Sequence, residues 1–419
     1  MVWDWLLLYK RGETVLSDMS SATNTKTRGP LQWLKLAIVA GLFVGLSLTP
    51  KLWLSDRLYP TTPVFEWMGT IPPPFDCILY TSMLILLAAI TVMPRPTLAV
   101  AAFIAIAIVE VLFDQSRLQP WFYQYLFMLT AVGFGTRVLD HNRRDLALDA
   151  CRLIIVCIYF WSGAQKLHVD FVNRIFPWLL EPFTRLLPQS IAAIVNACGI
   201  VAPLTEMAIG VGLLFRPVRK YAIFAAIGMH ALILLSLGPL GKSLNAIVWP
   251  WNMAMVAFLF ILFWNRSDLT VRQMFWARGF GFQKVALLMF GFAPALSFFN
   301  VWDGGLSAAL YAGTRNDATL YVTGRLADRL PKSILEHVYV DKAAGMNKIH
   351  LYEWSEKEMG VPFYSEPRIF KSVARSVCSY ARQPNDLKLV IRQRRVLLSP
   401  DLETAYDCGK LLGPGGGSQ

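Results

Sequence analysis

Nine apolar runs, each close to 20 residues long, follow one another between residues 36 and 300 of the chain. A helix rises about 1.5 Å per residue, so a run of about 20 residues crosses the roughly 30 Å hydrocarbon core of a bilayer. The runs therefore predict an all-α polytopic membrane bundle of about nine spans. They cover residues 36–54, 76–93, 97–113, 119–135, 149–165, 191–215, 221–238, 246–264 and 284–300.

The composition excludes an ordinary soluble protein. Hydrophobic residues make up 55% of the chain and charged residues only 16%, whereas about a quarter of the residues of an average domain are charged. The net charge of +12 could suit nucleic acid, but the basic residues lie in short loops between apolar runs and form no basic stripe. We therefore expect membrane lipids, and no nucleic acid, as partners.

The loop charges predict an orientation. Lys and Arg in short loops favour the cytoplasmic side of a membrane. If the N-terminus is cytoplasmic, the inner segments carry 17 of these residues and the outer segments seven. The count predicts an integral, multi-pass protein with a cytoplasmic N-terminus and an extracytoplasmic C-terminal domain.

Four regions follow from these patterns. Residues 1–34 are predicted to be a mostly disordered cytoplasmic leader, and residues 35–300 the transmembrane helical domain. Residues 301–412 are predicted to form a small extracytoplasmic α+β domain, and the glycine-rich residues 413–419 a flexible tail.

Within the C-terminal region, residues 337–352 contain two short alternating runs separated by a small-residue segment, which predicts a hairpin. Ile369, Val373 and Val377 recur every four residues, which predicts an amphipathic helix over 368–382. Residues 387–398 contain a further predicted strand.

The six cysteines have no metal-type spacing, and we predict no metal site. Only Cys378 and Cys408 lie in the polar C-terminal region. If that region is outside the cytoplasm they can form a disulfide, although two free thiols fit the spacing equally well.

Polar groups within the apolar runs are costly and are therefore functional candidates or partners across a helix interface. Glu110, Lys166, His230 and Asn252 all fall in the outer half of their spans, which predicts one shared, outward-opening cavity. Each also has a structural explanation, such as ion pairing or helix packing. Glu206 is predicted to lie deeper, where structural pairing is favoured over catalysis.

The segment from Tyr159 to Phe171, YFWSGAQKLHVDF, resembles the lysine-bearing segment of vitamin K-dependent gamma-glutamyl carboxylases and their HTTM-type bacterial relatives. Residues 199–215 and 228–253 are similar to the family's following helices. The resemblance extends over about residues 120 to 265.

This resemblance implies a lipid quinone or quinol cofactor and a carboxylase-like lyase reaction at an outward-facing site. It implies Lys166 as the general base, since burial in an apolar environment can lower the pKa of a lysine. His230 would position or polarise the quinone oxygen as the second catalytic residue. The cofactor-binding residues would be Trp161, Trp249, Trp251, Asn252 and Glu110, and a peptide or protein would be the substrate at the outer face.

The chain departs from the carboxylases in two respects. Residues 122–125 occupy the place of a histidine in the fourth span, and a short C-terminal region replaces their large lumenal β-rich region. Two other hypotheses therefore remain open. The helix carrying Glu206 is also similar to DoxX-type quinone-linked oxidoreductase subunits, which would need a redox partner, and a non-enzymatic membrane binding module is the third hypothesis.

Overall fold

A computed structural model describes residues 29–135, 141–264, 271–276, 281–341, 346–393 and 401–413. A helix occupies each of the nine predicted spans, and a shorter helix, α6, lies between the fifth and the sixth. The helices of at least nine residues in this first part are α1 (Pro30–Leu48), α2 (Phe75–Val92), α3 (Thr97–Phe113), α4 (Pro120–Gly135), α5 (His141–Gln165), α6 (Phe176–Thr184), α7 (Gln189–Gly212), α8 (Arg216–Leu237), α9 (Val248–Phe263) and α10 (Gly281–Phe299).

Six of these helices are long and apolar enough to cross a membrane: α1, α2, α5, α7, α8 and α10. Helices α3, α4 and α9 have 17, 16 and 16 residues, and at about 1.5 Å per residue they extend only about 25 Å. The described residues are thus compatible with a multi-pass membrane protein having at least six spanning helices. Most of the predicted leader, residues 1–28, and residues 414–419 of the predicted tail lie outside the described residues.

Helix α5 lies at the centre of the bundle. In an apolar stretch of 18 residues of α5, 78% of the residues are buried, compared with 22% to 39% in the corresponding stretches of the other five long helices. It packs closely against α7 because glycines remove side chains from the contact. A Cβ atom on Gly163 would lie 2.6 Å from the carbonyl oxygen of Pro203, and one on Gly210 would lie 2.9 Å from that of Val156. Small residues of this kind let helix backbones approach one another in membranes.

Buried charges join the loops at one end of the bundle. Arg117 pairs with Glu110 and donates hydrogen bonds to the backbone carbonyls of Leu52 and Trp53 at 3.0 and 2.8 Å. A second buried pair joins Arg57 to Asp114. These contacts fix the segment after α1 against the segment after α3.

The C-terminal part is an α+β domain with a five-stranded antiparallel sheet in the order β2-β3-β1-β4-β5. The hairpin predicted over 337–352 is present as β2 and β3, and the predicted helix over 368–382 begins and ends at Pro367 and Cys378. The elements are β1 (Asp317–Val322), β2 (Val338–Asp341), β3 (Met346–Ile349), α11 (Leu351–Met359), α12 (Pro367–Cys378), β4 (Leu387–Gln393), β5 (Leu402–Asp407) and α13 (Cys408–Leu412).

Cys378 and Cys408 form a disulfide, with their Cα atoms 5.6 Å apart. The bond joins the end of α12 to the start of α13. The spacing was compatible with a disulfide or with two free thiols, and the structure has the disulfide.

The C-terminal domain contacts four loops of the bundle. Glu358 accepts hydrogen bonds from the backbone N–H groups of Leu58 and Tyr59. Three further hydrogen bonds join the domain to the bundle: Gln119 to the carbonyl of Pro362 at 3.2 Å, Thr314 to Gln165 at the end of α5 at 3.0 Å, and Asn245 to Tyr311 at 3.0 Å. The segments after α1, α3, α5 and α8, which are the four loops predicted to be outer, therefore lie at one end of the bundle with the C-terminal domain.

Candidate functional site

A cavity lies among α5, α7, α8 and α9, beneath the segment that follows α10. It encloses about 100 Å³ of space that the centre of a water molecule can occupy. Most of its wall is apolar, and a small set of polar side chains converges on it. Those polar residues are Tyr159, Ser162, Lys166, Glu206, His230, Asn252, Trp251 and Tyr311.

Helix α5 supplies one polar face of the cavity. Tyr159 and Ser162 are three residues apart on α5, and Lys166 follows four residues later, directly after the last residue of the helix, so the helical repeat places the three on one side. The Nζ atom of Lys166 lies 2.6 Å from Ser162 Oγ. This direction is expected because helical side chains lean toward the helix N-terminus.

Glu206 of α7 completes this group. Its Oε2 atom lies 2.7 Å from Lys166 Nζ, and the two side chains are only 10% and 14% exposed. The predicted pairing of Glu206 is present, with Lys166 as its partner. The two side chains meet because Lys166 turns back along α5 and reaches Glu206.

His230 of α8 lies between two partners. Its Nε2 atom is 2.6 Å from the hydroxyl of Tyr159, and its Nδ1 atom is 2.6 Å from Asn252 Oδ1. The Asn252 amide nitrogen donates to the carbonyl of Val248 at 2.7 Å. All three side chains are at least nine-tenths buried. The result is a continuous hydrogen-bonded chain across α5, α8 and α9.

Both ring nitrogens of His230 are thus occupied by protein groups. His230 and Tyr159 both border the cavity, and the role of His230 in positioning a ligand oxygen stays a prediction.

The structure brings Lys166, His230, Asn252 and Trp251 together and separates Glu110 from them. Glu110 lies in the ion pair with Arg117 and does not border the cavity. It lies near the C-terminal end of α3, and its side chain points to the buried charges beneath the loops.

The other two predicted tryptophans also lie apart from the polar groups. Trp249 donates to the backbone carbonyls of Leu237 and Leu244 at 3.1 and 3.3 Å and so holds the loop between α8 and α9. Trp161 lines a smaller neighbouring cavity and donates to the carbonyl of Gly291. Trp251 borders both cavities.

The segment after α10 closes one side of the cavity with Ala308, Leu310 and Tyr311. Ala308 and Tyr311 have φ values of 56° and 53°, and Asn245, which bonds to Tyr311, has a φ of 50°. Left-handed conformations of this kind cost about 1 to 3 kcal/mol each and persist where the surrounding structure imposes them. Burial raises the pKa of Tyr311 to about 12, so its hydroxyl stays protonated.

Sequence reasoning missed Tyr159, Ser162 and Tyr311 as site residues. The spacing of Tyr159 and Ser162 from Lys166 was the available signal for the first two. Among the residues that the structure describes, no group of three or more His, Cys, Asp or Glu side chains could hold a metal ion.

Comparison of the chain with family models, with curated proteins and with solved structures finds no match.

Proposed function

We propose that the protein is an integral membrane enzyme that binds a lipid quinol in this cavity and accepts a proton at the Lys166–Glu206 pair. The observation that supports the proposal is the convergence of these two residues with the Tyr159–His230–Asn252 chain on one otherwise apolar cavity. Apolar pockets with a few convergent polar groups are the usual form of small-molecule sites. Ionisable groups are retained within membrane helices chiefly for function.

The cavity fits the ring of such a ligand. A cavity that holds one water offers roughly 10 to 15 Å³ to the centre of that water. The cavity of about 100 Å³ therefore has room for several waters and suits one ring. The smaller cavity shares Ile158, Trp251 and Ala308 with the main one and continues its apolar wall. That wall suits the hydrocarbon tail of a lipid.

The residues of the site have separate tasks. Ser162 and Glu206 hold the Lys166 amine at the cavity wall, with oxygens 2.6 and 2.7 Å from its Nζ atom, and the amine is the group that accepts the proton. The segment carrying Leu310 and Tyr311 excludes water from one side. A bound quinol would supply an acidic hydroxyl and reducing equivalents.

The proposal includes nine spans, a cytoplasmic N-terminus and a C-terminal domain outside the cytoplasm, where a peptide or protein substrate of a carboxylase-like reaction would dock. The placement of the four predicted outer loops beside the C-terminal domain supports this arrangement.

The test has two readouts on protein purified in detergent under anaerobic conditions: mass spectrometry of co-purified lipids, and oxidation of an added short-chain benzoquinol. We expect a bound quinone in the wild type. We expect Lys166→Ala and Lys166→Arg to lower turnover by about a hundredfold or more, because arginine keeps its proton.

A paired replacement separates catalysis from stability. Replacing both members of a buried ion pair by apolar residues is often neutral for stability, whereas removing one is costly. Lys166→Met combined with Glu206→Met should therefore fold well and remain inactive. The matched control is the same exchange at Lys242 and Glu181, a pair with a 2.6 Å contact outside the cavity, which should keep activity. Full activity of Lys166→Arg would contradict the proposal and favour a binding module.

A further inference from the structure

The hydrogen bonds around His230 determine which of its nitrogens carries the proton. The Asn252 amide nitrogen donates to the Val248 carbonyl at 2.7 Å, so its oxygen must face the ring. An amide oxygen can only accept, and Nδ1 of the neutral ring is therefore the N–H that donates to it. The Nε2 atom is left as an acceptor.

This arrangement also determines the direction of the Tyr159 hydroxyl. With Nε2 as an acceptor 2.6 Å away, the Tyr159 O–H donates its proton to His230. The same oxygen keeps its lone pairs, and Tyr159 borders the cavity. Toward a ligand, this hydroxyl can accept a hydrogen bond but has no proton left to donate.

We infer that Tyr159 is the residue that selects a ligand presenting a hydroxyl over one presenting a carbonyl, with His230 and Asn252 as positioning residues behind it. The inference rests on the proposed function and adds a specificity to it. A hydroxyl places its proton on the Tyr159 oxygen, whereas a carbonyl placed there would face another acceptor without a proton between them. A buried mismatch of this kind is costly.

The experiment measures binding of one ligand in two redox states. A short-chain 1,4-benzoquinol and the corresponding 1,4-benzoquinone are titrated separately into the purified full chain in detergent, and the ratio of the two dissociation constants is the readout. We expect the wild type to bind the quinol about tenfold more tightly. Tyr159→Phe removes the acceptor, so the ratio should fall to about one.

Two further variants define the chain of hydrogen bonds. Asn252→Leu releases the ring to take the other tautomer, after which Tyr159 can donate to a carbonyl, so the ratio should fall or reverse. Tyr125→Phe is the matched control, because Tyr125 is a buried tyrosine of the core that borders neither cavity. Its ratio should equal that of the wild type.

The outcomes distinguish a failure of this inference from a failure of the proposed function on which it rests. If neither form binds the wild type, the proposed function fails and the inference fails with it. If both forms bind with equal affinity, or if Tyr159→Phe keeps the wild-type ratio, only the inference is overturned.

Discussion

At the scale of single residues, five polar side chains of the cavity are joined to one another between helices. Lys166, which follows the last residue of α5, pairs with Glu206 of α7, and Tyr159 of α5 reaches Asn252 of α9 through His230. A half-satisfied network would be less stable than an apolar core of the same size. These contacts therefore both fix the helices relative to one another and orient the groups that face the cavity.

The C-terminal domain contains a second carboxyl in an unusual environment. Burial raises the pKa of Glu366 to about 7, and the nearby Asp303 acts in the same direction. The N–H of Gly304 and the guanidinium groups of Arg368 and Arg315 oppose the shift without cancelling it. Glu366 consequently changes its charge close to neutral pH.

The first prediction is that Glu366 makes the wild type less stable as the pH rises. The folded carboxyl keeps its proton to about pH 7, whereas the unfolded one loses it near 4.5, so the folded state binds more protons between these values. Stability should be full below about pH 4.5 and should fall by a few kcal/mol as the pH approaches 7. Thermal unfolding of the detergent-solubilised protein from pH 5 to 8 measures the fall.

Glu366→Gln should remove this slope and should melt at a higher temperature than the wild type at pH 8. Glu336→Gln is the control, because that carboxyl is on the surface and Lys357 lowers its pKa. Parallel curves for the wild type and Glu366→Gln would contradict the prediction.

The sequence alone identified Lys166, His230 and Asn252 because a polar group inside an apolar run is conspicuous. It misplaced Glu110, since depth along a helix does not reveal which face a side chain occupies. The direction of each face depends on contacts outside the helix itself, such as the contact of Glu110 with Arg117 in the following loop. The helical repeat of Tyr159, Ser162 and Lys166 was a local signal that could have been used.

At the scale of elements, the apolar runs predicted the helix positions well. A helix that crosses the hydrocarbon core needs about 20 apolar residues, and a run of that length is visible in the sequence. Helix α6 was missed since it is only nine residues long and contains Pro182. Strand β1 was missed for a different reason: its neighbours in the sheet, β3 and β4, lie far along the chain, and short strands depend on such partners.

The second prediction concerns the bridge between α12 and α13. The bridge closes a loop of 30 residues and so reduces the conformational entropy of the unfolded chain. In the chain-entropy account this stabilises the folded state by about 3 to 4 kcal/mol. Cys378→Ser combined with Cys408→Ser should destabilise the C-terminal domain by that order and make it more sensitive to protease.

Peptide mapping without reductant should recover the two cysteines in one linked species. Cys77→Ser with Cys198→Ser is the control, since these two are exposed and free and their loss should not change protease resistance. Recovery of Cys378 and Cys408 as free thiols from native membranes would contradict the bridge.

At the scale of the whole molecule, two groups of loops lie at opposite ends of the bundle. The loops after α1, α3, α5 and α8 contact the C-terminal domain, whereas the loop between α2 and α3 lies at the other end of those helices. The other nine helices of the bundle alternate in direction when the short helix α6 is left aside, and this alternation produces the division. Sidedness in the cell then depends only on which end faces the cytoplasm.

The third prediction assigns the end that carries the C-terminal domain to the outside. In a background with Cys77 and Cys198 replaced by serine, Leu240→Cys and Pro94→Cys place single exposed thiols at the two ends. A membrane-impermeant thiol reagent should label Leu240→Cys in intact cells. It should label Pro94→Cys only after lysis, because basic residues in short loops, such as Arg95 here, favour the cytoplasm.

The reverse labelling pattern would place the C-terminal domain in the cytoplasm. Labelling of both variants in intact cells would contradict any arrangement in which the two loops lie on opposite sides of the membrane.

The wall formed by Ala308, Leu310 and Tyr311 has a consequence for how the protein is made. A ribosome delivers α5 with Tyr159 and Lys166 long before it reaches these residues, which follow the last apolar helix. During synthesis the nascent helical domain therefore carries its polar groups in a hollow that lacks one side. That side is covered only when the beginning of the C-terminal domain has left the ribosome and folded back over it.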